Sequence, residues 1–406
     1  MSFDQVFSLT VSGITVGMIY ALIALGYTMV YGVLEFINFA HGDVFTFGGF
    51  VAATILIRAG LSDSSSLPVR LSWLLGAIVL AVLITVALGL SIERIAYRPL
   101  RGRSRIIPLL SAIGVSIILE NMMILVFGPE SIIVPQAVIP MQFVTIFGSR
   151  IRVLALIIIG VSIVLMLVLT YIVRSTRVGK AMRATSQDME AAEMMGIETN
   201  RTIAFTFAVG SALAAIGGLL VAMFYGSLTW DSGFIYGLKA FTAAVLGGIG
   251  SIPGAVIGSL ILGLAENYGV GLNLGLLAWF FVVGLVGGLY MQFVRAPQQR
   301  LKHVREEERT PAYERNLVRQ YRLAPYYAIR TMLGPRTDAL VAVSARHALR
   351  IMLGNVFLAV AAAVFFLNGN YQIDPEWQNV IVFVVLMIVL LFRPAGILGE
   401  HVPEKV

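Results

Sequence analysis

The chain has no cysteine, and only 13% of its 406 residues are charged. The first absence removes disulfide staples, thiolate metal ligands and cysteine nucleophiles together. Histidine is scarce too: His41, His303, His347 and His401 stand far apart, so a clustered metal site is not expected. No G-x-x-x-x-G-K-[ST] occurs. Gly179-Lys180 is followed by Ala181 and the glycines near 250 have no lysine, so nucleotide hydrolysis by the P-loop route is excluded. There is no G-x-S-x-G elbow, no H-E-x-x-H pair and no set of intramembrane carboxylates for acid–base work. No catalytic residue is therefore assigned, and neither a resident cofactor nor a metal is expected.

What fills the chain instead is hydrocarbon. Hydrophobic residues make up 58% and mean hydropathy is +0.88, beyond the range of a soluble domain. A bilayer core about 30 Å thick takes roughly 20 apolar residues per helix. Such runs lie near 9–33, 44–57, 71–92, 106–127, 151–173, 202–225, 240–265, 271–294, 349–367 and 379–392. The fold class is all-α, a polytopic membrane helical bundle. The first Lys or Arg is Arg58, so the opening run lacks the basic start of a cleavable signal and is expected to stay as a helix. The formal charge of +7 falls in loops flanking the apolar runs, where orientation explains it without nucleic acid.

Loop charge orients the bundle. ERIAYRPLRGRSR carries Arg94, Arg98, Arg101, Arg103 and Arg105, and the 174–201 loop carries Arg174, Arg177, Lys180, Arg183 and Arg201; both are expected on the cytoplasmic side. Between them, the segment after Phe127 has Pro129, Pro135 and Pro140 among apolar residues and reads as an extended external stretch. The basic loop 295–348 should also be cytoplasmic. Counting from an external loop around Trp230, Asp231 and Lys239, that holds only if 240–267 enters and leaves by one face. Gly247, Gly248, Gly250, Pro253 and Gly254 interrupt its middle, and irregular backbone at membrane depth needs shelter from protein or a water-filled cavity.

A second interruption lies in EFINFAHGDVFTFGG, residues 35–49, where Asn38, His41 and Asp43 stand among glycines. Polar side chains there are tolerated when they face an aqueous path or other protein, and two broken segments point to a substrate pathway. The same residues equally suit a short turn with an ordinary helix N-cap at Asn38 or Asp43. Glu120 and Glu266, near ends of apolar runs, read as structural carboxylates that reach water or cap a neighbour. In QDMEAAEMMGIETNR, Glu190, Ala191, Ala192 and Gly196 read as one short helix closed by a glycine cap.

The stretches ALIALGYTMVYGVLEFINFAHGD, ERIAYRPLRGRSRIIPLLSAIG, the EAA-like loop just quoted, KAFTAAVLGGIGSIPGAVIGSLILGLAE and RPAGILGEHVPEKV together resemble the LivH-type permease subunit of branched-chain amino acid ABC importers. The resemblance covers most of 9–267 and 371–406. It implies a bacterial inner-membrane, multi-pass subunit that translocates leucine, isoleucine, valine or a related amino acid inward. Its implied partners are a second, LivM-type permease, two ATPase subunits that bind the ATP, and a periplasmic substrate-binding protein. Glu190, Ala191, Ala192 and Gly196 match the coupling loop that meets the ATPase; Asn38, His41, Asp43, Gly247, Gly248, Gly250, Pro253 and Gly254 are expected to line the pathway. Urea or short-chain amide import, and an ion-coupled carrier, remain alternatives. The chain departs from the family across 268–370, read as an insertion of two spans around the basic loop. That divides the chain into a permease core, 1–267, the insertion, and a final helix and tail, 371–406.

Overall fold

A computed structural model of the chain describes residues 3–34, 36, 38–62, 64–101, 103–104, 106–138, 142–271 and 382–387. The two spans of the expected insertion, the basic loop 295–348, the tail motif and most of the final helix lie outside these residues. Apart from the last residue of α10, every labelled element belongs to one compact unit.

Ten helices carry the described chain: α1 Phe3–Leu34, α2 His41–Arg58, α3 Leu67–Ile92, α4 Ile106–Phe127, α5 Val153–Ser175, α6 Arg177–Gln187, α7 Met189–Met194, α8 Thr199–Tyr225, α9 Ser232–Gly247 and α10 Ile252–Gly271. The apolar runs are comparably greasy, yet they end up in different places. Helices α1 and α8 are mostly buried within the protein, whereas α3, α4 and α5 keep most of their surface outside it. Leu75, Val79 and Leu83 of α3, Ile117, Ile118 and Leu125 of α4, and Val164, Leu167 and Val168 of α5 are exposed. A helix apolar all round is a core element or faces lipid, and both kinds occur here. Helix α8 packs against α1, α2 and α3 and forms the axis of the bundle.

The segment between α4 and α5, expected to be extended, holds β1 Ile132–Ile133 and a hairpin of β2 Phe143–Ile146 with β3 Ser149–Arg152. Its two-residue turn, Phe147-Gly148, has positive φ at both positions, the backbone that matches the twist of a hairpin. Strand β1 pairs antiparallel with β4 Ser227–Leu228, just after α8. Ser149 Oγ donates to the Asp4 carbonyl at 2.9 Å, and Tyr268 Oη shares a 2.6 Å hydrogen bond with Thr10 Oγ1. One end of the bundle therefore gathers the start of α1, the α4–α5 connection, the α8–α9 turn and the close of α10.

At the opposite end lie the arginine-bearing connections. The π-helical turn Glu93–Tyr97 follows α3, and Arg101 Nη1 beyond it donates to Asn200 Oδ1 at 2.6 Å. The run expected to begin at 240 starts earlier, at Ser232, and breaks after Gly247. Helices α9 and α10 are bent by 119° at the break. Gly250 approaches Gly32 near the far end of α1, while Tyr268 returns to Val6 and Thr10. The pair thus leaves and rejoins the same end of the bundle, as a re-entrant hairpin. Lys239, expected in an external loop, is instead 6% exposed inside α9: the helix starts at Ser232 and carries it down into the bundle.

Candidate functional site

Helix α2 begins deep. A Cβ on Gly210 would lie 3.7 Å from His41 Cε1, and Gly210 is about 16 Å along α8 from Thr199 at ~1.5 Å per residue. Helix α2 thus starts well inside the bundle rather than at its surface. Asn38, His41 and Asp43 are all buried. Neither Asn38 nor Asp43 caps α2: its first residue is preceded by Ala40 with no side-chain cap bond, and the His41 amide is bonded to the Asn38 main-chain carbonyl at 3.1 Å.

The three side chains diverge. Asn38 Oδ1 accepts a 2.6 Å hydrogen bond from Tyr97 Oη of the π-helical turn, and Phe36 and Phe207 pack on the same tyrosine ring. His41 wedges between Gly26 of α1 and Gly210 of α8, edge-on to Tyr27 at 4.9 Å between ring centroids; its Nε2 finds no hydrogen-bond partner among the described residues. Asp43 turns to α4, where Ser116 Oγ donates to Oδ2, while Oδ1 is buried with no hydrogen-bond partner among the described residues. Small residues make these approaches feasible. Gly42 of α2 lies so close to Gly233 and Gly237 of α9 that a side chain on it would strike their backbone.

The second broken segment sits elsewhere on α9. Gly247 abuts Gly254 backbone to backbone, Gly248 and Gly250 adopt positive φ of 107° and 92°, and Pro253 occupies the first turn of α10, where no amide donor is needed. Ten residues of α9 separate Gly237 from Gly247, about 15 Å at ~1.5 Å per residue, so the two breaks do not touch. A small cleft lies between them. It has about 10 Å3 open to water, room for roughly one molecule, and is lined by Tyr27, Thr28 and Tyr31 of α1, Phe241 and Ala244 of α9 and Ile249 of the break. Tyr27 contacts His41 on one side, and Ile249 belongs to the second break. Thr28 Oγ1, in this lining, is buried with no hydrogen-bond partner among the described residues.

None of the eight expected pathway residues lines the cleft itself; His41 and the 247–254 turn border it. The lining tyrosines were within ALGYTMVYG, where Tyr27 and Tyr31 fall one helical turn apart in an otherwise apolar run. That spacing puts both on one face, and it was the available signal. Glu266 is likewise not at water: its Oε1 takes a 2.7 Å ion pair from Lys239, with both side chains buried.

Glu190, Ala191 and Ala192 lie in the expected short helix, α7, and Gly196 closes it. Asp188 caps α7 by accepting from the Ala191 amide at 3.0 Å. At its other end Gly196, φ 82°, donates to the Glu193 carbonyl, and Ile197 donates to that of Ala192, the paired closure that a left-handed glycine permits. Ala192 is buried and Glu190 exposed. Met194 and Met195, unremarked in the sequence, are 82% and 83% exposed at the tip. Among the described residues no group of His, Asp and Glu has metal-binding geometry.

A family model described as branched-chain amino acid transport system, permease component, matches residues 9–289. The match extends past 267, into the first apolar run of the segment read as an insertion. The high-affinity branched-chain amino acid transport system permease protein BraD of Pseudomonas aeruginosa is 46% identical over 263 residues, 64% of this chain and 84% of that protein. LivH of Escherichia coli, of the same description, is 46% identical over 261 residues, 63% and 83% of the two chains. A probable branched-chain amino acid transport permease LivH of Methanocaldococcus jannaschii is 30% identical over 254 residues, 61% and 75%. No solved structure matches.

Proposed function

The chain belongs to the permease-component family of branched-chain amino acid transport systems, and on that premise we propose that it moves leucine, isoleucine or valine inward across the bacterial inner membrane. The work is divided. Two ATPase subunits hydrolyse ATP, a periplasmic binding protein delivers the amino acid, and a second permease completes the passage; this chain supplies half of the route and catalyses no bond change.

The observation that carries this reading is the small cleft between α1 and α9, lined by Ile249 of the second break and by Tyr27, whose ring meets His41 of the first. Irregular backbone and unpartnered polar atoms cost several kcal/mol in hydrocarbon, and a water-accessible route is the setting that compensates for them. The cleft is closed to a solute as large as leucine by its own tyrosines and Phe241, so passage requires α1 and α9 to separate. The device that separates them is the 175–201 loop. Helix α7 presents Met194 and Met195 outward, and exposed methionines adapt to a partner's groove.

The test is uptake of radiolabelled leucine into proteoliposomes holding this chain with the second permease and both ATPases, supplied with binding protein and internal ATP. Uptake that requires all components, and that unlabelled valine suppresses while urea and acetamide do not, is the expected result. Uptake by this chain alone, without ATP, would establish a secondary carrier instead.

A further inference from the structure

Deep in the bundle lies a charged pair that the cleft and the coupling loop leave unexplained. Lys239 Nζ of α9 donates to Glu266 Oε1 of α10 at 2.7 Å, with side-chain exposures of 7% and 3%. Tyr20 Oη of α1 donates to the other carboxylate oxygen at 2.8 Å, and the ammonium lies 5.9 Å from the centroid of the Tyr20 ring. Tyr20 stands about 25 Å along α1 from Phe3 and about 21 Å from Leu34, at ~1.5 Å per residue. The pair is therefore near mid-depth, and it spans the two arms of the re-entrant hairpin.

Stability does not account for it. Removing two ions from water costs about what their attraction returns, and buried pairs are often replaceable by apolar residues without loss. An ammonium has three donors, and Glu266 Oε1 is the acceptor that this one has among the described residues. Ionisable groups inside a membrane bundle default to function. The surroundings mix aliphatic and aromatic side chains: Val16, Ala243, Leu262 and Val382 are buried with Tyr20 in a cluster separate from the main core, with Phe224 and Tyr236 packed on it.

Resting on the transport reading above, we propose that Lys239 and Glu266 are a binding site for the zwitterionic head of an α-amino acid. The substrate carboxylate accepts from Lys239 Nζ as the pair opens, its ammonium donates to Glu266, and Tyr20 keeps its bond to Oε2. The exchange is neutral for neutral. One plus and one minus leave each other and meet one minus and one plus, so no net charge enters the low-dielectric interior. The branched side chain is received by Val16, Leu262 and Val382. When the substrate leaves, the pair closes again and the site presents no free charge that would admit an ion.

Two measurements on the assembled transporter decide it. The first is melting of the wild-type complex, without binding protein, in millimolar leucine, 3-methylbutylamine or 4-methylpentanoate, the last two each keeping one of leucine's charges. Leucine alone should raise the melting temperature by linkage; equal shifts with either analogue would overturn the site. The second is the Lys239→Met/Glu266→Gln double variant, which retains volume without charge. In complexes that assemble, leucine uptake should fall by roughly tenfold or more, since charge-assisted hydrogen bonds are each worth about a decade. Uptake at the wild-type rate would make the pair a structural tie and leave the transport reading standing. A double variant that does not assemble returns the decision to the ligand comparison, and a wild-type complex that imports no amino acid refutes the transport reading itself.

Discussion

At the scale of single residues, the contacts of the first break are set by what is missing from its neighbours. His41 occupies space that exists because position 26 has no side chain: a Cβ there would overlap the imidazole, whereas one on Gly210 would sit at an ordinary 3.7 Å from it. The two glycines therefore make opposite predictions. Gly26→Ala should destabilise by about 1–3 kcal/mol, the cost of forcing a filled core apart. Gly210→Ala should be neutral or stabilising by up to about 1 kcal/mol, because alanine loses less backbone entropy in a helix. Thermal unfolding of the purified protein distinguishes them; equal losses would place the imidazole elsewhere. Asn38, His41 and Asp43 were legible in the sequence as polar residues in a greasy context. Their partners were not. Tyr97, Ser116 and Gly26 come from three other helices, and no periodicity within residues 35–49 encodes which neighbours arrive.

Elements show why the short helix α7 was readable and its connection to the first break was not. A capped six-residue helix is local chemistry: Asp188 before it and Gly196 after it are both signals in sequence. The path from there is tertiary. Thr199 donates to Glu193 of α7, Asn200 accepts from Arg101, Arg101 pairs with Glu93 at the start of the π-helical turn, and Tyr97 at its end holds Asn38. A continuous set of bonds thus links α7 to the main chain beside His41, and single-turn π segments are often found at functional sites. A Cβ on Gly196 would meet nothing within 4 Å, but the residue has a φ of 82°, so a side chain there encounters backbone strain and no clash. Gly196→Val should cost about 1–2 kcal/mol of left-handed penalty, open the α7 cap and lower ATP-driven uptake by roughly tenfold. Basal hydrolysis by the ATPases and the amount of transporter in the membrane should be unchanged. Coupled transport at full rate would separate this loop from the power stroke.

For the whole molecule, hydropathy and loop charge were enough to give the class, the five long spans among the described residues and the hairpin, because bilayer thickness and positive-inside bias act on composition. They were insufficient for burial. Helices α4 and α8 are similarly apolar, yet one lies at the periphery and the other at the axis; the difference comes from small residues on α8, such as Gly210, Ala214 and Gly218, that admit its neighbours. The Lys239–Glu266 pair was hidden for the same reason. Each charge is close to a loop in sequence, and only the re-entrant path of α9 and α10 draws both inward. That path has a direct check, since the natural chain lacks cysteine and any introduced one is a unique reporter. Asp231→Cys precedes the hairpin and Tyr268→Cys follows it. In a re-entrant arrangement an impermeant maleimide reaches both from the outer face of intact cells, while Arg103→Cys, beyond the π-helical turn, reacts after permeabilisation. A through-span would reverse Tyr268→Cys, carrying the end of α10 to the arginine-rich face, and Lys239 and Glu266 would then lack the geometry that brings them together.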